Sequence, residues 1–184
     1  IKYFMKKKPL FKKYLLQYCQ LLQDSKNIDA LLKKIYSFKN KDKGKIILFG
    51  NGGSSSICSH IATDFVKCNK IRAISLNDHN LITCFGNDYG FENWMSKALE
   101  AHCDYKKDLV ILISSSGNSK NLINAGKFCK KNNIDFVTLT GFDKNNRLSK
   151  LGNINVWVNS KSYNYVEVAH LQILAFIVDS LKDN

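Results

Sequence analysis

KIILFGNGGSSS, residues 45–56, sets the architecture of this chain. Ile46, Ile47, Leu48 and Phe49 form an unbroken apolar run with no alternation, bounded by glycines at 44 and 50. A run this short and uniform reads as a strand covered on both faces, the habit of parallel sheets. Gly50, Asn51, Gly52 and Gly53 then turn the chain, and residues 55–66 read as a helix. Strand, tight turn and helix make the first half of a βαβ unit.

The pattern recurs on the C-terminal side. Residues 73–76, 110–113 (VILI), 136–139 (FVTL) and 155–158 read as further strands, and residues 91–101, 119–131 and 165–181 as helices. Short β-branched runs alternating with helices give an α/β fold with a parallel sheet. The strands are too few for an eightfold barrel, so the sheet is expected to be doubly wound. On the N-terminal side, apolar residues from Leu10 to Leu22 and from Ile28 to Ile35 fall at helical spacing, with a break near residues 25–27. The expectation is a single domain, with an N-terminal helical segment over residues 1–40 and an α/β core over residues 45–184.

The 184 residues are 45% hydrophobic and 23% charged, an ordinary balance for one soluble domain. No run approaches the roughly 18 apolar residues of a membrane span. The lysine-rich start lacks the apolar centre and cleavage site of a secretory signal, so a cytoplasmic setting is expected. The six cysteines stand singly, with no CxxC pair, as reduced thiols do. The net charge of +13 is uneven: residues 1–50 hold 13 Lys against 3 Asp, and the remainder is nearly balanced. With only Arg72 and Arg147 for arginines, the chain is poor material for bidentate phosphate or base readout. The basic segment reads as a solvated helix face, and nucleic acid is disfavoured as a partner.

Ligands of open parallel sheets collect beyond the carboxyl ends of the strands. Two such ends are unusual here. The first strand runs into Gly50-Asn51-Gly52-Gly53-Ser54, and VILI runs into Ser114-Ser115-Ser116-Gly117-Asn118-Ser119, each opening a helix. Taken singly, either loop also reads as a turn and helix cap. Together, their glycines, hydroxyls and helix-start amides can surround a phosphate without Lys or Arg. No GK[ST] follows either loop, and neither fits GxGxxG with a downstream acid. A small phosphate monoester is therefore expected, with no nucleotide or organic cofactor.

GNGGS, the helix carrying His60, GNDYGF at residues 86–91, ISSSGNS at 113–119 and LTG at 139–141 together resemble the SIS (sugar isomerase) family. Within it the chain is similar to phosphoheptose isomerases, which convert sedoheptulose 7-phosphate to D-glycero-D-manno-heptose 7-phosphate. The resemblance implies a three-layer α/β/α sandwich with a five-stranded parallel sheet, and a homotetramer with sites at subunit interfaces. It implies a cytoplasmic role in heptose synthesis for bacterial lipopolysaccharide or capsule. It further implies that Asn51, Gly52, Gly53, Ser54, Asn87 and Asp88 line the sugar, and that Ser114, Ser115, Ser116 and Ser119 cradle its phosphate.

Enediol chemistry needs a group that takes a proton from the carbon beside the carbonyl and a group that returns it. The family pattern supplies a His and a Glu four residues apart on the first helix, with a Gln and a later His on the last; the four hold zinc in some members. In this chain His60 and Asp64 fill the first pair, on one helix face. Glu167 takes the Gln position, Tyr165 stands for a usual Arg, and Ala175 occupies the position of the catalytic His. The expectation is a rewired set in which Asp64 or Glu167 is the base and His60, His170 or water the acid. His60, Asp64 and Glu167 would then also be the ligands of one zinc ion per subunit, should the two helices bring them together. The competing expectation is a sugar-phosphate-binding SIS regulator, similar to the DnaA-associating initiation protein, or an isomerase for another sugar phosphate.

Overall fold

The computed structural model describes residues 11–39 and 44–182. Its elements are α1 (Phe11–Gln23), α2 (Ile28–Lys39), β1 (Ile46–Gly50), α3 (Gly53–Asn69), β2 (Ala73–Ser75), α4 (His79–Tyr89), α5 (Trp94–His102), β3 (Leu109–Ser114), α6 (Lys120–Lys131), β4 (Asp135–Thr140), β5 (Ile154–Trp157) and α7 (Tyr163–Ser180). The five strands pair in parallel in the order β2-β1-β3-β4-β5. The expected doubly wound, three-layer α/β fold is present.

The uniform apolar runs explain the layering. Along β1, Ile46 and Leu48 face one helical layer and Ile47 and Phe49 the other, and all four are fully buried. The first layer is α2, α3 and α7, bringing Leu31, Ile35, Ile61, Phe65, Ile173 and Leu174 onto the sheet. The second is α5 and α6, with Trp94, Met95, Leu99, Leu122 and Ile123, flanked by α4. Trp94 packs edge-to-face on Phe49, with centroids 5.7 Å apart, as a core residue. Each such buried aliphatic or aromatic side chain contributes about 1.5–3 kcal/mol, so polar substitution in β1 or β3 would dismantle the sheet.

At the amino end of the sheet the polar groups are paired. Asp108 is buried and accepts from the backbone N–H of Lys45 (2.9 Å), from Lys45 Nζ (2.5 Å) and from the N–H of Asp104 (2.8 Å). Lys34 forms an ion pair with Asp135. The carboxyl end carries instead the two serine- and glycine-rich loops.

One helix was not expected. Residues 79–89 form α4, capped by Asp78, whose side chain accepts from the N–H of Asn80 (2.9 Å) and Leu81 (3.2 Å). Gly86, Ile82 and Thr83 weaken its helical signal, but Leu81, Ile82 and Phe85 pack against the core and override propensity. The first four residues of GNDYGF are therefore the end of this helix. All six cysteines are free, as expected. No helix among the described residues is long and apolar enough to cross a membrane.

Candidate active site

The strand order reverses direction between β1 and β3, because the chain moves outward to β2 and then returns to the other side of β1. Such a switch point leaves a crevice beyond the strand ends. Here both flanking loops are the ones singled out above. A cleft of about 270 Å³ opens there, lined by Asn51, Gly52, Ser54, Ser114, Ser115, Ser116, Ser119, Leu122, Tyr163 and Glu167. A larger cleft, of about 630 Å³, lies between the α1–α2 corner and α7. It holds none of these serines or helix starts, so size does not locate the chemistry.

The serine loop is held by its own hydrogen bonds. The N–H of Gly117 donates to the carbonyl and the hydroxyl of Ser114, both at 3.1 Å, and the N–H of Asn118 donates to Ser116 Oγ at 3.2 Å. Gly117 has φ +65°, and a Cβ there would collide with the Asn146 amide, so only glycine closes this turn. Ser115 is buried, yet its hydroxyl has no hydrogen-bond partner among the described residues. A buried, unpaired hydroxyl carries a free-energy cost that a ligand or water in the cleft would remove.

Two helix starts converge on the same space. The N-cap residues of α3 (Gly52) and α6 (Ser119) make no side-chain cap bond and line the cleft, so both helix starts bring partial positive charge to it, although the Leu122 N–H is taken by Asn121 Oδ1 at 3.0 Å. The loops are clipped together by a pair of reciprocal amide bonds. Asn51 Nδ2 donates to Asn121 Oδ1 at 3.0 Å, and Asn121 Nδ2 donates to Asn51 Oδ1 at 2.9 Å. Asn121 is buried and was not among the sequence candidates, although it stands two residues beyond SSSGNS and that position could have marked it. Half of the Asn51 amide is thus committed to structure rather than to a sugar.

Glu167 supplies the only charged side chain lining this cleft among the described residues. It lies one turn into α7, against the start of α3, so closely that a Cβ at Gly53 would strike its carboxylate. Gly53 is therefore a close-approach glycine. Among the described residues no Lys or Arg lines the cleft, which agrees with a cradle built from hydroxyls and amides.

The other sequence candidates are elsewhere. His60 Nε2 and Asp64 Oδ2 are 3.4 Å apart on α3, with side chains 60% and 28% exposed, and neither lines the cleft. Helix α3 rises about 1.5 Å per residue, which places them about 10 and 16 Å along it from Gly53, where Glu167 sits. Hence His60, Asp64 and Glu167 do not assemble in one chain: among the described residues no three His, Cys, Asp or Glu are close enough to hold a metal ion. Within one chain the donor set expected for zinc is therefore not gathered. Asn87 and Asp88 are exposed at the end of α4, bonded to each other at 2.9 Å, and do not line the cleft. Ala175 is packed against the core, and Tyr165 is spent on α1, stacking on Tyr14 at 4.3 Å and donating to Gln17 Oε1 at 3.1 Å.

His170 is fully buried, with Nε2 3.2 Å from the carbonyl of Thr140. Burial pushes its pKa down to about 4, only partly opposed by that hydrogen bond, so the ring is neutral near pH 7. It lies within the packing and cannot serve as the acid toward a ligand in the cleft.

Residues 11–141 match the SIS domain family, and the chain belongs to it. Its relatives include a phosphoheptose isomerase of Fusobacterium nucleatum, 32% identical over 165 residues and covering 87% of this chain and 84% of that protein. Phosphoheptose isomerase 2 of Campylobacter jejuni is 39% identical over 132 residues, 66% of this chain and 64% of that protein, so the matched part is less than two thirds of that relative's length. The structure of a phosphoheptose isomerase from Francisella tularensis has the same fold, with a TM-score of 0.82 at 25% identity over 93% of this chain and 95% of that one.

Proposed function

We propose that this protein is a sugar-phosphate aldose–ketose isomerase of the phosphoheptose isomerase type, interconverting sedoheptulose 7-phosphate and D-glycero-D-manno-heptose 7-phosphate. The carrying observation is that one cleft joins a serine-and-amide cradle to a single carboxylate, Glu167. Like charges separate, so the phosphate takes the serine end and the carbonyl end of the sugar lies toward Glu167. In the forward direction the Glu167 carboxylate takes a proton from C1, leaving an enediolate across C1 and C2, and returns it to C2. The hydroxyl proton of C1 is lost as that of C2 is gained, so no oxidant or reductant is required.

His60 and Asp64 are proposed as the carriers of the hydroxyl proton, presented to the site of an adjoining subunit. This reading is supported by α1, which buries none of its residues and exposes Phe11, Leu15 and Leu16, an apolar face suited to a second copy. A homotetramer with shared sites, working in the cytoplasm on precursors of lipopolysaccharide or capsule heptose, is the assembly and setting that the family resemblance supports. Proton and phosphorus NMR of sedoheptulose 7-phosphate in deuterated buffer tests the reaction directly. Conversion with deuterium appearing at C2 is expected; unchanged ketose with no exchange at C1 would overturn it.

Ala175 favours a second reading, in which the phosphate site is kept and turnover lost. It predicts a shifted phosphorus line with neither conversion nor exchange.

A further inference from the structure

His170 is the one fully buried titratable group on α7, and the chemistry above does not use it. Its Nε2 lies 3.2 Å from the Thr140 carbonyl, which only accepts, so Nε2 carries the hydrogen and Nδ1 is bare. That Nδ1 is buried with no partner among the described residues. An apolar side chain would fill this space without the unpaired acceptor, so the ring's distinctive contribution is the bond from Nε2.

That bond ties together the two ends of the cleft. Thr140 ends β4, and the next amide, Gly141 N–H, donates to the carbonyl of Ser115 at 3.0 Å. Ser115 belongs to the serine loop. At Gly141 a Cβ would meet both methyls of Val166 at 2.7 Å, so α7 rests directly on this strand end. Val166 precedes Glu167, and His170 follows Glu167 by three residues, one turn along the same face. Ser115, Gly141, Thr140 and His170 thus form a continuous path from the phosphate end to the carboxylate end.

We propose that His170 is a positioning residue that fixes Glu167 at its working distance from the serine loop, through Thr140 and Gly141. The inference rests on the isomerase reading. The bond acts on the placement of the base more than on the cradle, and a shift of about 1 Å in a reacting group costs on the order of a hundredfold in rate.

The test compares His170→Leu, which removes the donor, with His170→Gln, whose amide can restore it. Steady-state turnover of sedoheptulose 7-phosphate and long-range nitrogen–proton NMR of wild-type imidazoles complete it. The expected result is a kcat lowered about 10- to 100-fold in H170L with KM within about threefold, and most of the kcat recovered in H170Q. The wild-type spectrum should show His170 protonated at Nε2. A merely structural role would lower thermal stability and leave the kcat of folded H170L at the wild-type value, which overturns the proposal. Should H170L fail to fold, the remaining measurements decide: an Nδ1–H tautomer, or a folded H170Q without activity, overturns it. Inactive wild-type protein would instead defeat the isomerase reading, before any variant is made.

Discussion

Glu167 and Asp64 are carboxylates on neighbouring helices that start at the same end of the sheet, yet their surroundings are opposite. Glu167 stands at the mouth of the switch-point crevice, against a helix start and among serines that carry no opposing charge. Asp64 is about three turns farther along α3, half-buried beside the exposed His60. One chain thus builds a serine-lined cleft with a carboxylate beside it, and leaves the His60–Asp64 pair outside that cleft. The difference teaches that the serine cleft is complete within one chain, while the proposed proton-carrying role of His60 and Asp64 depends on what covers α3.

The sharpest way to break this contrast is Glu167→Gln, which keeps shape and removes the base. Turnover should fall about 10²–10⁴-fold, the usual contribution of a general base. The phosphorus shift of bound sugar phosphate should persist, since the cradle is untouched. A loss smaller than that of Asp64→Asn would invert the comparison and make Asp64 the base. For Asp64→Asn the expected loss is on the order of 10²-fold, through a misoriented His60. If the pair serves an adjoining subunit, mixing separately inactive E167Q and D64N proteins should regain activity as subunits exchange, measured against each variant alone. No recovery after verified exchange would place both groups in one chain's site.

A pH series sharpens the contrast from the packing side. The pKa of His170 is held down to about 4 by burial, against 6.5 for the free side chain. Unfolded protein therefore binds a proton that folded protein refuses between those values, and stability falls as pH drops through that window. The slope contributed is at most about 1.4 kcal/mol per pH unit. Denaturant melts of the wild type and of H170L should diverge in slope between pH 6.5 and 4; parallel curves would mean the ring is not neutral inside.

The Asn51–Asn121 clip links the same two ends and is expected to matter less. Removing Asn51 leaves the buried Asn121 Nδ2 without this acceptor, at about 1–3 kcal/mol of stability, while removing Asn121 leaves only the half-buried Asn51 amide, which water can reach, and costs less. The double variant should cost less than the sum of the singles, since they lose one interaction. Additive losses in thermal melts would show that the two amides act separately.

Most of the fold was legible because the strands that carry it are fully buried. IILF and VILI have no alternation to confuse them with surface strands, and helix-period residues flank them. Helix α4 was missed because Gly86, Ile82 and Thr83 lower local propensity, and only packing of Leu81, Ile82 and Phe85 stabilises it. The serine loops could be read because they are local motifs, and Glu167 only through the family pattern on the last helix. The place of Asn121 beside SSSGNS could have marked that residue, but its pairing with Asn51 and the bond from His170 to Thr140 could not be read, since the partners are 70 and 30 residues apart. Likewise the distance of His60 and Asp64 from Glu167 within one chain follows from the rise of α3 beyond Gly53, which their spacing of four does not reveal.

Ser115 offers the smallest effect and the most diagnostic sign. Its hydroxyl is buried without a partner among the described residues. Ser115→Ala therefore removes an unpaired polar group instead of a bond, and free protein should be unchanged or stabilised by up to about 1 kcal/mol. If the hydroxyl is reserved for phosphate, the same change should weaken sugar-phosphate binding roughly tenfold, one hydrogen bond to a charged group. Thermal melts without ligand and titration with inorganic phosphate separate the two effects. Loss of stability with unaltered affinity would show that Ser115 holds the loop and does not contact the ligand, and would leave Ser114, Ser116 and Ser119 as the cradle.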